Sequence, residues 1–391
     1  MSGEAKPKIS RRKMLTIIAG VVVVAAAAGA GIYLTMPKKR YVSIFGRAAK
    51  PEEVKPIFIY VGPIGDVGWT YNHHYHGLKY IEEKFGIKSF YAESVAAPDA
   101  PRIVEEFINT QGVNTVVFTD AIEVYNPDLS LPKKYPDIYF IHCAGYEHDL
   151  PNLCAFYGRM YEARYVTGII AGRMTKTNKI GYVAAHPIPE VITGLNAFTL
   201  GVRKVNPEAE VHVAFTHSWY DPATERAVAD SMIGIGCDIL TQHADSPATQ
   251  IAAEEAGIMS LVYQSDEMMK FAPNAALTGA TWNWRPIYDD VFRRILEGRF
   301  ENKWYYPGMK EGVCKLAPYN RKLLPEEVIA EAEKVKEDII AGRLEIWKGP
   351  IYDRDGNLRI RHDYVPSHEE VWKGMTWVVP GVVGEIPKPK I

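Results

Sequence analysis

Short apolar segments alternate with helical patterns along most of the chain, and this alternation constrains the fold more than any other feature. Pro56–Val61, Asn114–Phe118 and Asp137–His142 are apolar almost throughout, and helical patterns over 72–85 and 101–110 separate them. Strands that lack a polar face are typical of parallel sheets that helices cover on both sides. The first part of the chain is therefore predicted to form a doubly wound α/β lobe.

A second series of the same kind begins after residue 158. Its predicted strands are Lys179–Ala184, Glu210–Phe215, Asp238–Thr241 and Met259–Tyr263. Its predicted helices span 161–174, 190–205, 222–234 and 247–256. The two series predict an α/β fold with two doubly wound parallel-sheet lobes, and a length of 391 residues is enough for two domains.

Within the last hundred residues, short segments around Gly312–Ala317 and Leu344–Trp347 are predicted to cross back between the lobes. Helices are expected near Pro286–Leu296 and Pro325–Ala341, and Asp355-Gly356 lies at the centre of a predicted hairpin over Tyr352–Arg361. The predicted division of the folded part is 54–157 plus about 283–308 for the first lobe, 158–282 plus about 309–375 for the second, and 376–391 as a C-terminal tail.

The N-terminal residues predict the compartment of the folded part. A basic segment, 1–13, precedes the uncharged segment 14–36, and residues 37–53 read as a linker. The uncharged segment is long enough to cross a bilayer as an anchor helix and longer than the apolar region of most cleaved signal peptides, so the anchor is favoured over cleavage. Ser10-Arg-Arg12 also fits a twin-arginine export signal. The residues from about 50 onward are therefore expected on the extracytoplasmic face of the membrane.

Composition and motifs argue against several functions. Lys and Arg total 45 against 47 Asp and Glu, a balance that gives no reason to expect nucleic acid as a partner. The four cysteines form no zinc or redox spacing, and Cys143 and Cys154 are expected either to pair or to remain free thiols. The histidines at 73, 74 and 76 lack the spacing of a metal site. No nucleotide-binding or catalytic motif is present, so we expect neither a cofactor nor an enzyme.

The carboxyl ends of the strands are where a doubly wound fold binds its ligands. After the first strand, the segment 65–72 provides Asp66, Trp69, Tyr71 and Asn72, and Tyr75 follows. Aromatic rings beside a carboxylate suit a flat heterocycle with N–H donors, because the ring stacks while the carboxylate accepts hydrogen bonds. The alternative is a helix N-terminus with Asp66 or Thr70 as its cap and Trp69 in the core.

Further candidates follow later strands. Asp120, Asp245 and Asp266 each end a strand and are interpreted either as ligand contacts or as helix caps. Trp219 follows the strand that ends at Phe215. Trp282 stands at an expected passage between the lobes, where ligand contact and hinge packing are equally plausible roles.

Four segments resemble the basic membrane protein family of substrate-binding proteins for ABC importers, whose characterised members include purine nucleoside receptors. They are Gly65-Asp-Val-Gly-Trp-Thr-Tyr71, Tyr161-Glu-Ala-Arg-Tyr-Val-Thr-Gly-Ile-Ile-Ala-Gly-Arg-Met-Thr175, Trp219-Tyr-Asp-Pro-Ala223 and Tyr263-Gln-Ser-Asp266. The closing segment 374–384 also fits a subgroup of the family. The resemblance extends over most of the chain after about residue 55.

The resemblance implies a type I periplasmic-binding-protein fold, in which three crossovers form a hinge between the lobes. It implies a purine base or nucleoside held between Trp219 and an aromatic residue of the first motif (Trp69, Tyr71 or Tyr75). It also implies that Asp66 contacts the base and Asp266 the ribose, and that ABC permease subunits are the partners. A membrane-anchored sensor ectodomain and, less favoured, a nucleoside hydrolase remain as alternatives.

The sequence departs from the family pattern at two places. Trp282 stands where the nucleoside receptors carry a lysine that reaches the ribose, which favours a free base such as adenine or another flat heterocycle. The lipid-modified cysteine of the family is missing near the N-terminal segment, which favours a protein anchor.

Overall fold

The chain is described here by a computed structural model that covers residues 41–388. The predicted basic segment and the predicted membrane anchor, residues 14–36, lie outside this range. Within 41–388, no helix is both long enough and apolar enough to cross a membrane.

The strands are short and are numbered in chain order. They are β1 (Pro56–Ile59), β2 (Phe90–Ala92), β3 (Thr115–Phe118), β4 (Tyr139–Cys143), β5 (Leu153–Phe156), β6 (Lys179–Ala184), β7 (Glu210–Phe215), β8 (Ile239–His243), β9 (Met259–Gln264), β10 (Ala276–Trp282), β11 (Trp304–Tyr305), β12 (Cys314–Leu316), β13 (Ile351–Tyr352), β14 (Leu358–Ile360) and β15 (Val382–Val383).

The helices follow the same numbering. They are α1 (Trp69–His73), α2 (Lys79–Phe85), α3 (Ala100–Gln111), α4 (Ile122–Tyr125), α5 (Ser130–Lys134), α6 (Met160–Met174), α7 (Pro189–Val205), α8 (Pro222–Gly234), α9 (Ala248–Ala256), α10 (Arg285–Leu296), α11 (Glu326–Ile340) and α12 (His368–Gly374). A π-helical turn, His74–Leu78, joins α1 directly to α2. Gly86 ends α2 in the left-handed conformation, with φ of 72°.

Two sheets confirm the prediction of two doubly wound lobes. The first sheet has the order β11-β5-β4-β3-β1-β2, and the second has the order β12-β10-β9-β8-β6-β7-β15. All neighbouring strands in them are parallel except β12, which runs antiparallel to β10. The predicted hairpin is also present, as the antiparallel pair β13 and β14.

The chain passes between the two sheets three times, as the resemblance implied. The passages lie between β5 and α6, between β10 and α10, and between β11 and β12. Tyr157 in the first passage and Trp282 and Trp284 at the second pack together, and we call these three rings the hinge cluster. The two tryptophans stack with ring centroids 4.3 Å apart, and Tyr157 meets Trp282 edge-on at 5.1 Å.

Parts of the chain outside the predicted strands also belong to the lobes. Val382 and Val383 of the predicted tail pair with β7. The described part of the predicted linker packs on the first lobe, where Ile44 is fully buried and the Tyr41 hydroxyl donates to Asp137 Oδ1 at 2.6 Å. The cysteines at 143, 154, 237 and 314 are all buried free thiols.

The second lobe depends on a close contact between α6 and α7. A Cβ atom on Gly168 would lie 2.1 Å from the carbonyl oxygen of Phe198, and one on Gly201 would lie 2.1 Å from that of Tyr165. Any side chain at either position would collide with the backbone of the facing helix, so glycine is required for the helices to approach this closely.

We expect Gly168→Ala to lower the free energy of unfolding by about 3 kcal/mol, because the added methyl group forces two packed helices apart. Urea denaturation with thermal melting measures the change. Gly234→Ala is the control, because Gly234 is exposed and a Cβ atom added there would meet open space. The free energy of unfolding of this variant should stay within about 1 kcal/mol of that of the wild-type protein. Equal stabilities for the two variants would contradict the packing role of Gly168.

Candidate functional site

The carboxyl ends of the two sheets face each other and enclose a cavity between the lobes. The empty space between its walls, counting the part that is open to solvent, is about 320 Å³. Each lobe contributes an aromatic ring, at least one carboxyl group and small or amide side chains. The lining residues are Val61, Trp69, Asp120 and Ala144 from the first lobe and Glu190, Trp219, Asp245 and Gln264 from the second.

Trp69 connects the cavity to the hinge. It is the first residue of α1, it is only 8% exposed, and its indole N–H donates to the carbonyl oxygen of Thr119 at 2.8 Å. Its ring meets Trp282 and Trp284 of the hinge cluster edge-on, at 6.1 and 5.6 Å. These contacts fix the position of the first-lobe ring at the cavity.

Trp219 is the aromatic ring of the second lobe at the cavity. It lies in the turn between β7 and α8, where Asp221 caps α8 by accepting a hydrogen bond from the backbone N–H of Thr224. The Trp219 carbonyl oxygen accepts from the backbone N–H of Asp245 at 2.9 Å, and its ring meets His186 edge-on at 4.9 Å. The helix cap and the backbone bond together hold this ring next to Asp245.

The lobes touch each other beside the cavity. A Cβ atom on Gly68 would lie 2.4 Å from the carbonyl oxygen of Asp245, so the backbones meet in van der Waals contact. Asn72 of α1 donates through Nδ2 to the carbonyl oxygen of Gln264 at 2.5 Å. The cleft is therefore closed on this side of the cavity.

Buried carboxyl groups dominate the electrostatics of this contact. Asp66 is 1% exposed and accepts hydrogen bonds from the backbone N–H groups of Gly68, Thr70 and Tyr71 at 2.8 to 3.0 Å. Burial outweighs these bonds and raises the pKa of Asp66 to about 6. Burial, followed by the nearby charge of Asp66, raises the pKa of Asp245 well above its usual value.

Glu225 holds the segment that follows Asp245 through hydrogen bonds. Its carboxylate accepts hydrogen bonds from the backbone N–H and the hydroxyl of Ser246, at 3.2 and 2.7 Å, and from the backbone N–H of Asp221 at 3.1 Å. Burial raises the pKa of Glu225 to about 7.

Glu190 joins the cavity to a polar cluster in the second lobe. It lies in the first turn of α7, accepts a hydrogen bond from the Tyr157 hydroxyl, and lies 3.3 Å from Nε2 of His243. The Tyr263 hydroxyl lies 3.1 Å from the same nitrogen. Burial lowers the pKa of His243.

Backbone conformations that non-glycine residues rarely adopt occur around the cavity. Ala144 and Gln264 line it with φ of 60° and 69°, and Val67 and His217, in loops after two of the strands, have φ of 63° and 57°. Such conformations cost free energy and tend to be found at functional sites. Their positions therefore add independent support for the cavity as the functional site.

Of the ten residues predicted for the site, the structure brings four together at the cavity: Trp69, Asp120, Trp219 and Asp245. Asp66 caps α1 just behind them, and Asn72 bridges the lobes.

The remaining four predicted residues lie elsewhere in the structure. Tyr71 and Tyr75 pack on each other with centroids 4.4 Å apart, and Tyr75 is exposed. Asp266 accepts from the Thr281 hydroxyl at 2.8 Å and forms an ion pair with Lys315. Trp282 is fully buried in the hinge cluster.

Four lining residues were not among those predicted: Val61, Ala144, Glu190 and Gln264. Val61 and Ala144 follow β1 and β4, and Gln264 is the last residue of β9, so the strand-end rule could have included these three. Glu190 lies in the first turn of α7, and no strand-end signal marks it. Within residues 41–388, no group of three or more His, Cys, Asp or Glu side chains is arranged to hold a metal ion.

The cavity opens into a wider groove between the lobes. The groove has about 1590 Å³ of empty space and shares Asp120, Ala144, Glu190 and Trp219 with the cavity. His186, His217 and Lys373 are among its other residues. A ligand enclosed at Trp69 thus has a path to solvent beside Trp219.

Comparisons with known proteins agree on the type of protein. Residues 54–348 match the profile of the Bmp family, described as ABC transporter substrate-binding protein PnrA-like. A purine-binding protein of Brucella abortus is 36% identical over 346 residues, which cover 88% of this chain and 97% of that protein. A protein of Haloferax volcanii, named as a putative ABC transporter glucose-binding protein, is 33% identical over 342 residues, covering 88% of this chain and 83% of that protein.

The fold is also similar to that of solved solute-binding proteins. An ABC transporter solute-binding protein from Aeropyrum pernix K1 superposes with a TM-score of 0.65 at 16% identity, over 81% of this chain and 95% of that chain. The shared architecture is the type I periplasmic-binding-protein fold, which confirms the predicted fold class.

We expect stability to depend on pH through Glu225. Its pKa is about 7 in the folded chain against 4.5 as its ordinary value, so the folded chain retains a proton that the unfolded chain releases. Stability from this group is fully present below about pH 4.5 and is lost as the pH rises through about 7, a difference of about 3 kcal/mol. Glu225→Gln should make the curve of unfolding free energy between pH 5 and 8 less steep by this amount, and the raised pKa of Asp66, about 6, should keep part of the slope.

The control for this measurement is Asp230→Asn on the same helix, where the carboxylate pairs with Arg226 at the surface. This variant should keep the wild-type slope. A Glu225→Gln curve parallel to wild type would contradict the assignment.

Proposed function

The chain belongs to the Bmp family of ABC transporter substrate-binding proteins, and from this premise we propose that it captures a purine base between its two lobes. In this role the ligand bridges Trp69 and Trp219, and the closed form is the one that delivers it to permease subunits. Proteins of this family bind solutes for transport and are not enzymes, so no catalytic step is part of the proposal.

The main support for this proposal is that two tryptophans, one from each lobe, line the same cavity. A flat ring between them would contact both lobes at once, so binding energy would favour closure over the open form. Stacking on an aromatic platform is worth about 1–3 kcal/mol per base.

The polar groups at the cavity select for hydrogen-bond donors. Within the described part of the chain, Asp120, Glu190 and Asp245 line it, and no lysine or arginine is among the lining residues. Anionic ligands such as nucleotides would be disfavoured beside these carboxyl groups, whereas the ring and amino N–H groups of a base would donate hydrogen bonds to them. Such donors would also stabilise the ionised form of Asp245.

The surroundings of the cavity favour a free base over a nucleoside. Asp266, which the family resemblance assigns to ribose, has its carboxylate engaged by Lys315 and Thr281. A purine-binding relative at 36% identity supports the purine class, and the relative named for glucose makes a hexose the competing ligand to test.

We expect the purified protein to bind adenine, with weaker binding of adenosine and no binding of glucose. Trp219→Ala should weaken adenine binding by about tenfold or more, since it removes one stacking face. Isothermal titration calorimetry measures the affinities, and a ligand at 100 times its Kd should add about 2.7 kcal/mol to the stability.

Trp377→Ala is the control for Trp219→Ala, because Trp377 is partly buried in the second lobe but does not line the cavity. It should retain wild-type affinity. Binding of glucose without any purine would refute the proposed ligand class, and adenine affinity unchanged in Trp219→Ala would refute the sandwich.

We also propose that the protein acts on the extracytoplasmic face of the membrane, with residues 14–36 as its anchor. The support is the uncharged run in the sequence and the family to which the chain belongs.

We expect the full chain to stay with the membrane pellet after carbonate washing, because an apolar helix is not extracted by loss of ionic contacts. External protease should digest the folded lobes in intact spheroplasts. Replacing Val21, Val22 and Val23 with lysine should release the chain into the soluble fraction or abolish its export. A wild-type chain that washes off the membrane would contradict the anchor.

A further inference from the structure

Among residues 41–388, Gln264 is the one amide side chain that lines the cavity. We propose that Gln264 determines specificity by accepting a hydrogen bond from an amino group of the base, and that Asp245 is the positioning residue that sets the orientation of its amide. The inference rests on the proposed function and narrows the ligand to purine bases with an exocyclic amino group.

The side chain of Gln264 is buried, and its amide nitrogen already has a hydrogen-bond partner. Gln264 is 3% exposed, and its Nε2 donates to Asp245 Oδ1 at 2.7 Å. Its Oε1 is also buried, and no group within the described residues donates a hydrogen bond to it. An unpaired buried acceptor is costly, so a ligand that supplies a donor there gains free energy that other ligands do not.

The backbone of Gln264 is held as firmly as its side chain. The residue has φ of 69°, a conformation that only a well-supported non-glycine residue keeps. Its carbonyl oxygen accepts a hydrogen bond from Asn72 Nδ2 of the first lobe at 2.5 Å. Gln264 therefore reaches its place at the cavity in the closed form, where both lobes constrain it.

Asp245 determines whether the Gln264 amide presents a hydrogen-bond donor or an acceptor to the ligand. A glutamine amide can present either its oxygen or its NH₂ group, and the two orientations have nearly the same shape. The Asp245 oxygen Oδ1 accepts the hydrogen bond from Nε2 of Gln264, so Asp245 holds the NH₂ group and leaves the amide oxygen for the ligand. The oxygen matches the 6-amino group of adenine and repels the 6-oxo group of hypoxanthine.

The test compares adenine with hypoxanthine, which differ at the 6-position, by calorimetry on the purified full chain. We expect the wild-type protein to prefer adenine by at least about tenfold, as for a site whose buried polar group would otherwise be left unpaired. In Asp245→Asn the side chain at 245 can donate as well as accept, so the Gln264 amide can take either orientation. The preference should fall below about threefold.

Two further variants separate this role from general damage to the site. Gln264→Ala should lose the preference through weaker adenine binding. Glu190→Gln neutralises another carboxyl group of the cavity that is not bonded to Gln264, so it should change both affinities in the same direction and keep their ratio. Melting curves verify that each variant is folded.

The outcomes distinguish the inference from the function on which it rests. A wild-type protein that binds neither purine refutes the proposed function itself. Binding of both purines with equal affinity, or a preference that survives in both Asp245→Asn and Gln264→Ala, overturns the role of Gln264 and leaves purine capture intact.

Discussion

Aromatic packing at the crossovers is the interaction on which the site depends. Trp282 and Trp284 stack at the second passage between the lobes, Tyr157 joins them from the first, and Trp69 meets both indoles edge-on. Trp69 also lines the cavity, so the rings that set the hinge also position one face of the site. Closely packed aromatic side chains have little freedom to shift, so this cluster holds the Trp69 ring in its place at the cavity.

Closure brings together carboxyl groups that repel one another. Asp66 and Asp245 come from different lobes, and both have raised pKa values because they are buried and, for Asp245, because Asp66 is near. Backbone N–H groups offset the burial of Asp66, and the Gln264 amide partly offsets that of Asp245. A ligand rich in N–H donors would hydrogen-bond to these carboxyl groups and offset the rest of the cost of burying them. Such a ligand would therefore stabilise the closed form.

Most of the fold could be predicted because its signals are local. The helix α8 and the strands β6 and β7 have the predicted bounds, since periodicity and capping residues mark them directly. The strand β10 was missed because alanine, glycine and threonine give it a weak strand pattern. Gly279 is nevertheless required there: a Cβ atom at this position would lie 2.1 Å from the carbonyl oxygen of Val262 in the neighbouring strand, a contact that only the assembled sheet reveals.

By itself the sequence determined the two α/β lobes and the set of strand-end residues from which a site could be built, because alternating hydrophobicity and turn chemistry act over a few residues. Only the tertiary structure decided which of these residues face the cavity. Asp266 follows a strand as Asp245 does, but the crossover that returns through β12 brings Lys315 to it. Glu190 and Gln264 reach the cavity through the way in which the lobes meet. The hydrogen-bond and charge partners of a side chain come from segments that are distant in the sequence, so no local sequence pattern predicts them.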